Sequence, residues 1–576
     1  MNTEASGLRY QVDERPPLLL TIGLGAQLAA LNLAAIMLIP TVVMRAAGQP
    51  EAYVSWAVGA SVAICGLTTI LQAFRFGRIG ARHMLLMGSS GAFVPVCVAA
   101  LVQSGPAMLA TLVVAACLVP LALSWRLSLF QRVLTPSVCG VVVMLIPISV
   151  LPIVGDMLTV SAVEGRALPV VLSAAATVTV TVGIALAATG SLRLWAPVIG
   201  VGAGSALAVF FGLYDFGRVV QAGWVDLPSA QWPGLAFGPE FFTLLPGFLL
   251  AGVIASVRSI SGAIAIQRVS WRRSRALDFR AVQGAVAVDG VASFLSGLAG
   301  TVPNTTYSVS VSLAELTGVA ARVVGVVAGA VFVALMLFPK AFAAILAIPD
   351  SVIAAYMIIL MATLFMVGVR MVLQDGMDYR KALIVGLALM VGVSFQYGLV
   401  FPRQVSGFAG GLFANGMNAG GVTAIALSLF VELTRPRKRR LDTVLDLSVL
   451  AEIRSFLGEF ASHGGWGAEM VDRLEAVSEE AVLILLREDD GAGESDRRRL
   501  LIRASREEGA AILEFIVTPR GENIQDRLAL LGDQTDSSSV EQEVSLRLLR
   551  RLSSSVRHQQ FHDIDIVTVR VKAPGG

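Results

Sequence analysis

The sequence predicts a helical membrane protein of about fourteen spans that ends in a soluble α/β domain. Three observations predict it. Of the 576 residues 55% are hydrophobic and only 15% charged, and the mean hydropathy of +0.74 lies far outside the range of soluble domains. Apolar windows of about 20 residues, the length that crosses a bilayer core, recur from Leu18 to Val431. Beyond Arg440 the composition changes abruptly to a charged, short-period pattern.

In chain order the spans are expected near 18–41, 53–72, 84–103, 107–123, 135–154, 168–188, 194–213, 242–266, 281–300, 304–318, 321–341, 350–371, 382–400 and 409–432. Three regions result: an N-terminal stretch 1–16, a membrane domain 17–435 and a soluble domain 436–576. The first apolar run is too long for a signal h-region and has no small-residue cleavage pattern, so the first span is expected to be retained. Basic loops at 75–83, 125–132, 268–280, 370–381 and 435–440 fall on one side if the spans alternate, which places them and both termini in the cytoplasm. The stretch 214–241, with Asp215, Asp226 and Glu240, is then expected outside.

The third and tenth spans are interrupted. Gly88, Ser89, Ser90 and Gly91 loosen the third ahead of Phe93. In "VPNTTYSVSVS" Pro303 blocks helix continuation, and the apolar–polar alternation predicts a strand that opens a half-helix. Such backbone is tolerated at membrane depth only where it faces protein or water. Paired interruptions at matching positions of two halves are the sequence pointer to a transporter's substrate site. The four cysteines sit in apolar runs and read as small buried hydrophobes. No histidine lies within a span, which excludes a histidine proton relay across the membrane.

"TVPNTTYSVSVSLAELTGVAAR" (301–322) resembles the signature region of the nucleobase–ascorbate transporters, the nucleobase–cation symporter family that includes bacterial uracil and xanthine/urate permeases. "LGAQLAALNLAAIMLIP" (24–40), "MGSSGAFVPV" (87–96), "RSISGAIAIQRVS" (258–270) and "VDGVASFLSGLAGTVPNTT" (288–306) are similar to that family's first, third, eighth and ninth-to-tenth spans. The resemblance implies a 7+7 inverted repeat, with spans 1–4 and 8–11 as a core and 5–7 and 12–14 as a gate. It also implies an elevator-type movement, a homodimer in the lipid of a bacterial inner membrane, and a purine- or pyrimidine-like substrate coupled to H+ or Na+. Catalysis, cofactors, metals and nucleic acid have no place in it. The binding residues it implies are Gln27, Ser90, Gly91, Ala92, Phe93, Arg258, Ser261, Gly262, Tyr307, Ser308, Val309 and Ser310, with Asp289, Glu315 and Thr317 as coupling or structural polar groups.

The chain departs from the family where the base would be recognised. The family's eighth-span glutamate falls on Arg258 and the acidic or histidine position four residues on falls on Gly262. The tenth-span amide or carboxylate pair falls on Val309 and Ser310, and the family's first-span Gln-His becomes Gln27 and Leu28. A carboxylate accepts two N–H donors and carries a proton, whereas guanidinium accepts nothing and does not deprotonate. Arg258 therefore either meets an anionic or acceptor-rich ligand or pairs internally with Asp289 or Glu315. Three functions stay open: a secondary transporter of a planar nucleobase-like compound, a non-transporting membrane sensor, and an anion carrier of the sulfate/bicarbonate type.

In the C-terminal region "LDTVLDLSVLAEIRSFLGEFA" and "VDRLEAVSEEAVLILL" are expected as helices, and "RRLLIRA" and "GAAILEFIVT" as strands around a turn at "DDGAGES". "SVEQEVSLRLLRRLSSSV" follows as a helix and "DIDIVTVRV" as a closing strand. The order is similar to a degenerate histidine-kinase-like ATPase domain, lacking its magnesium-ligating Asn and its Asp-x-Gly-x-Gly loop. A regulatory or dimerising role is implied rather than catalysis.

Overall fold

The computed structural model describes residues 8–127, 135–162, 167–225, 231–272, 275–373, 376–399, 416–434, 439–446, 448–463, 465–487, 498–507, 510–517, 524, 547–562 and 564–572. They divide into two units, Met1–Arg272 with Ala281–Leu433, and Arg273–Arg280 with Thr434–Gly576.

The first unit is helical. Its helices are α1 (Leu18–Ala46), α2 (Glu51–Ala73), α3 (Val94–Ala116), α4 (Leu118–Trp125), α5 (Pro136–Ala162), α6 (Ala167–Ala187), α7 (Ser191–Phe210) and α8 (Phe216–Gln221). Then come α9 (Pro239–Val269), α10 (Phe279–Leu298), α11 (Val309–Thr317), α12 (Arg322–Leu335), α13 (Pro339–Leu346), α14 (Asp350–Leu373), α15 (Tyr379–Gln396) and α16 (Gly416–Thr434). Two four-residue strands, β1 (Leu86–Ser89) and β2 (Asn304–Tyr307), interrupt the series.

Among the described residues ten helices are long and apolar enough to cross a membrane, or eleven if α12 and α13, bent by 86°, form one span. The expected segments are more numerous because two of them share one run and others are short. The third and fourth lie in a single stretch, Gly91–Trp125, broken where Gly105 takes φ 78° and ψ −175° ahead of Pro106. The tenth contains the nine-residue half-helix α11, and the last is a shorter apolar helix over Gly416–Val431.

Both interruptions become strands, and the two strands meet. β1 and β2 pair antiparallel, from Leu86 opposite Tyr307 to Ser89 opposite Asn304, and the Ser90 N–H continues the pairing to Pro303 O at 2.8 Å. The alternation in "SVSVS" predicts that the strand continues, but the strand ends at Tyr307 and Val309 already begins α11. Beyond Leu86 the strand has no partner in the ladder, and a helix satisfies its own backbone where a lone extended segment would not.

Two helix groups pack mainly within themselves inside this unit, α1, α2 and α12 in one, and α5, α6, α7, α14 and α15 in the other, with α1 also touching α7. Each has a crossing where glycines let backbones touch. A methyl placed on Gly66 would stand 2.7 Å from Gly329 O in the first, and one placed on Gly140 would stand 2.7 Å from Gly368 O in the second.

An N-terminal strap is tied to one end of α11 and α12. The N–H groups of Arg9 and Tyr10 donate to Gly318 O at 2.7 and 3.0 Å, and Ala320 and Arg322 donate to Tyr10 O and Val12 O. Arg272 grips Glu14 with both terminal nitrogens at 2.8 Å and also donates to Arg9 O. Asp13 lies 3.2 Å from Arg82 and 3.3 Å from Arg322.

The second unit is an antiparallel sheet with helices. Its elements are β3 (Arg439–Val444), α17 (Val449–His463), α18 (Ala468–Arg487), β4 (Arg499–Glu507), β5 (Ala510–Val517), β6 (Ser555–Gln560) and β7 (Asp565–Lys572), and the strand order is β3-β4-β5-β7-β6. Leu457, Leu474 and Val477 of the helices share a buried core with Leu513, Phe515 and Val569 of the sheet. The expected first helix is corrected here: "LDTV" is strand, because it pairs along β4, and the helix starts at Val449. The expected turn at "DDGAGES" is corrected too, since β4 pairs directly with β5 from Glu507 opposite Ala510. "DDGAGES" itself, most of "VTPRGENI" and the 539–546 part of the expected helix lie outside the described residues, as do 128–134 and 400–415 among the expected loops and spans.

Candidate functional site

The site grows from the β1–β2 crossing, where both broken spans leave the helical ladder. Tyr307 donates from its phenol to Ser89 O at 2.6 Å, and its ring lies against Gly88. Ser89 in turn donates to Ile36 O on α1 at 2.7 Å and lies 2.9 Å from the Ser61 hydroxyl on α2. The strands are thus fastened to the first helix group by hydroxyls that a helix would have turned on its own carbonyls.

Helix α9 closes the other side. The Ser259 hydroxyl accepts from Thr306 N–H at 3.2 Å, and Thr305 donates to Ala255 O at 3.1 Å. A methyl on Gly262 would stand 3.2 Å from Thr306 Cγ2, so a larger side chain there would press on the threonine. Phe93, fully buried in the turn between β1 and α3, tilts at 52° against Phe248 of α9 with ring centroids 6.1 Å apart.

Arg258 and Asp289 supply the charge. Arg258, one residue before Ser259, makes no hydrogen bond or close ion pair among the described residues, and the groups that act on it electrostatically are Asp289 and Tyr307. Asp289 on α10 is 1% exposed and lies within electrostatic reach of Ser259 and Arg258, but neither carboxylate oxygen makes a well-formed hydrogen bond among the described residues. Ser90 Oγ and Asn304 Nδ2 are buried and unpartnered among the described residues as well. A buried polar group left unsatisfied costs about 1–3 kcal/mol, so this cluster can reward a ligand or water that supplies the missing partners. A close Arg258–Asp289 pair, one of the two internal pairings weighed from the sequence, does not form, and Glu315, the other candidate, is exposed.

The implied residues therefore separate. Ser90, Gly91, Ala92, Phe93 and Tyr307 lie on the β1–β2 crossing and its flanking turn, Arg258 and Gly262 stand on α9, which packs against β2, and Asp289 follows Val288, which packs with Met87 of β1. A methyl on Gly91 would meet only Met361 Cε at 3.5 Å, which leaves this turn approachable. Val309 and Ser310 open α11, and the Ser310 hydroxyl donates to Tyr307 O at 3.4 Å, so it is engaged by the backbone. Gln27 is half-buried on α1 and its neighbour Leu28 fully buried. Ser261 and Ser308 are exposed. Thr317 donates to Leu313 O at 2.7 Å and Gly318 follows at φ 68°, so this pair stands at the end of α11.

Reasoning from the sequence missed Ser61, Ser89, Ser259 and Thr305 as the pegs of the site. Each is a small hydroxyl residue inside an apolar run, and that is the signal they left.

Residues 20–400 match the sequence profile of the Permease family (Xan_ur_permease). The chain is 29% identical over 448 residues to the xanthine permease XanP of Escherichia coli strain K12, covering 74% of this chain and 95% of that one. It is 27% identical over 426 residues to the uric acid permease PucK of Bacillus subtilis strain 168, covering 73% and 97%. In fold it is similar to the murine anion transporter Slc26a9 in the inward-facing state, with a TM-score of 0.50 at 12% identity over 75% of this chain and 71% of that one. These relatives are transporters and not enzymes. With its multi-pass helices and a match across most of them, the chain belongs to the Permease family.

Proposed function

We propose that this permease carries a planar, oxygen-rich purine of the xanthine/urate class, taken in an anionic or acceptor-rich form. The observation that carries the reading is Arg258, a guanidinium on α9 with no hydrogen-bonded partner among the described residues, one residue from the hydroxyl that holds Thr306. A planar fork of donors matches the carbonyl edge of an oxidised purine and orients it as well as attracting it. The N–H groups at the start of α11 and of α3, on either side of the strands, add positive dipole ends. The xanthine and uric acid permeases among the relatives support the substrate class.

The movement is of the elevator type, with the fourteen segments arranged as a 7+7 repeat. Spans 1–4 and 8–11 carry the substrate past a gate made of 5–7 and 12–14. The two helix groups, each packed mainly within itself, support this division. The protein works as a homodimer in the inner membrane with both termini cytoplasmic, coupled to H+ or Na+, and its C-terminal unit is a regulatory or dimerising module.

Uptake by proteoliposomes tests the substrate. Labelled xanthine and urate are expected to accumulate under a proton or sodium gradient, and excess unlabelled urate is expected to compete where bicarbonate and sulfate do not. Competition by bicarbonate or sulfate but not by urate overturns the purine reading, and binding without flux under every gradient overturns transport.

A further inference from the structure

At the end of α1 far from the N-terminal strap, four charged side chains bridge the two helix groups. Arg45, at the last turn of α1, places Nη1 2.7 Å from Asp350 Oδ1, the first residue of α14. Glu51, the first residue of α2, receives Arg218 Nη2 of α8 at 3.0 Å, and Arg45 Nε lies 3.6 Å from its other oxygen. Leu346 O, at the end of α13, accepts from Arg45 Nη2 at 2.6 Å and from Arg218 Nη1 at 3.0 Å.

The placement makes these contacts unequal to ordinary surface pairs. Arg45 and Glu51 flank the turn between two helices of the first group, Asp350 opens a helix of the second, and Arg218 lies just beyond α7 of the second. The side chains of Arg45 and Arg218 are only 17% and 26% exposed, so their bonds are less screened than those of an exposed pair. Two ion pairs and one shared carbonyl thus join the groups at one end, and any separation of the groups there must break all three.

We infer that Arg45, Glu51, Arg218 and Asp350 form a gate that holds this face of the permease shut, and that its opening is a step of the transport cycle. The inference rests on the proposed division into two moving groups. It assigns the gate to charges, which water and ions can replace as the groups part, and not to apolar packing, which they cannot.

Thiol labelling tests it without reference to the substrate. Met361, whose Sδ-methyl lies 3.5 Å from where a Gly91 methyl would stand, is buried on α14, and the four native cysteines are buried too. In full-length Met361→Cys protein, a membrane-impermeant methanethiosulfonate applied from the gate face is expected to react slowly. Adding Asp350→Asn, or Glu51→Arg, is expected to speed that reaction roughly three- to ten-fold, as loss of one half-buried pair allows. Combining Glu51→Arg with Arg218→Glu is expected to slow the reaction again part of the way, since the swap re-forms that pair but leaves Arg45 facing a positive charge, and the recovery also shows that the single variant was folded. Unchanged labelling in both single variants, or acceleration that the charge swap does not reduce, overturns the gate. The substrate reading fails separately: labelling that responds while no purine is taken up leaves the gate standing and removes the purine.

Discussion

Tyr307 donates its phenolic hydrogen to the backbone carbonyl of Ser89 over 2.6 Å, with its ring packed on Gly88, where a methyl group would collide with Cζ. This contact locks the two broken spans to each other. Tyr307→Phe is expected to destabilise by about 1 kcal/mol, the net worth of one buried hydrogen bond. Gly88→Ala is expected to do more, about 1–3 kcal/mol, because the ring must move off the strand. Thermal unfolding in detergent ranks the two; a silent Gly88→Ala means that the ring is not seated there.

Reversing the charge at position 258 gives the sharpest test of recognition. Arg258→Glu is expected to weaken uptake of urate or xanthine roughly 10- to 100-fold, as loss of a charge-assisted bidentate contact does, and to admit a neutral base such as uracil, whose N–H groups a carboxylate accepts. Arg258→Lys, which keeps the charge and loses the planar fork, is expected to fall between. Competition for labelled substrate measures all three proteins, and an unchanged preference in the Glu variant removes Arg258 from the ligand.

The glycine crossings set how closely helices approach in each group. Gly140→Val places branches against Gly368 O in the α5–α14 crossing, and Gly66→Val does so against Gly329 O in the α2–α12 crossing. Each is expected to destabilise by about 1–3 kcal/mol or more, since the atom met is backbone and cannot rotate away. Gly155→Val, whose methyl would meet nothing within 4 Å, is the control and is expected to unfold at the parent's temperature.

Acid is expected to loosen the N-terminal strap. The Gln11 N–H and the Arg272 guanidinium hold the Glu14 carboxyl below the usual carboxylate range. A group with a depressed folded pKa contributes its stabilisation above the unfolded value and loses it as pH falls through the folded one. Strap amides such as Tyr10 should therefore stay protected from hydrogen exchange at neutral pH and lose protection only below the ordinary carboxylate range. Glu14→Gln is expected to remove that acid step, leaving protection lower and flat across it. The exposed pair is worth at most about 1 kcal/mol, so global unfolding should barely shift.

The two interruptions were legible because proline and clustered glycine and serine are rare in spans and each has a backbone reason for its place. Where the strand stopped was not legible. "SVSVS" alternates as well as any strand, and only the end of β1 opposite Tyr307 decides that Val309 turns helical. Thr317 and Glu315 read as site residues because they share a motif with the strand; Thr317 bonds back to Leu313 O at the end of α11 and Glu315 is exposed. In the C-terminal unit the strands β5 and β7 were plain from their alternation, whereas β3 looked helical because an edge strand is defined by the neighbour it pairs with.

The sequence by itself determined that the chain is a multi-pass membrane protein whose composition turns charged beyond Arg440, since hydropathy over twenty residues and a change of composition are local properties. It also placed a guanidinium, Arg258, where the resemblance leads one to expect a carboxylate. Tertiary structure alone decided that Arg258 and Asp289 are neighbours without a hydrogen-bonded pair, that Ser61 and Ser89 peg the strands, and that Arg45 meets Asp350 across 305 positions of chain. Such contacts depend on which helix faces pack together, and in an apolar span nearly every face looks alike until its partner is in place.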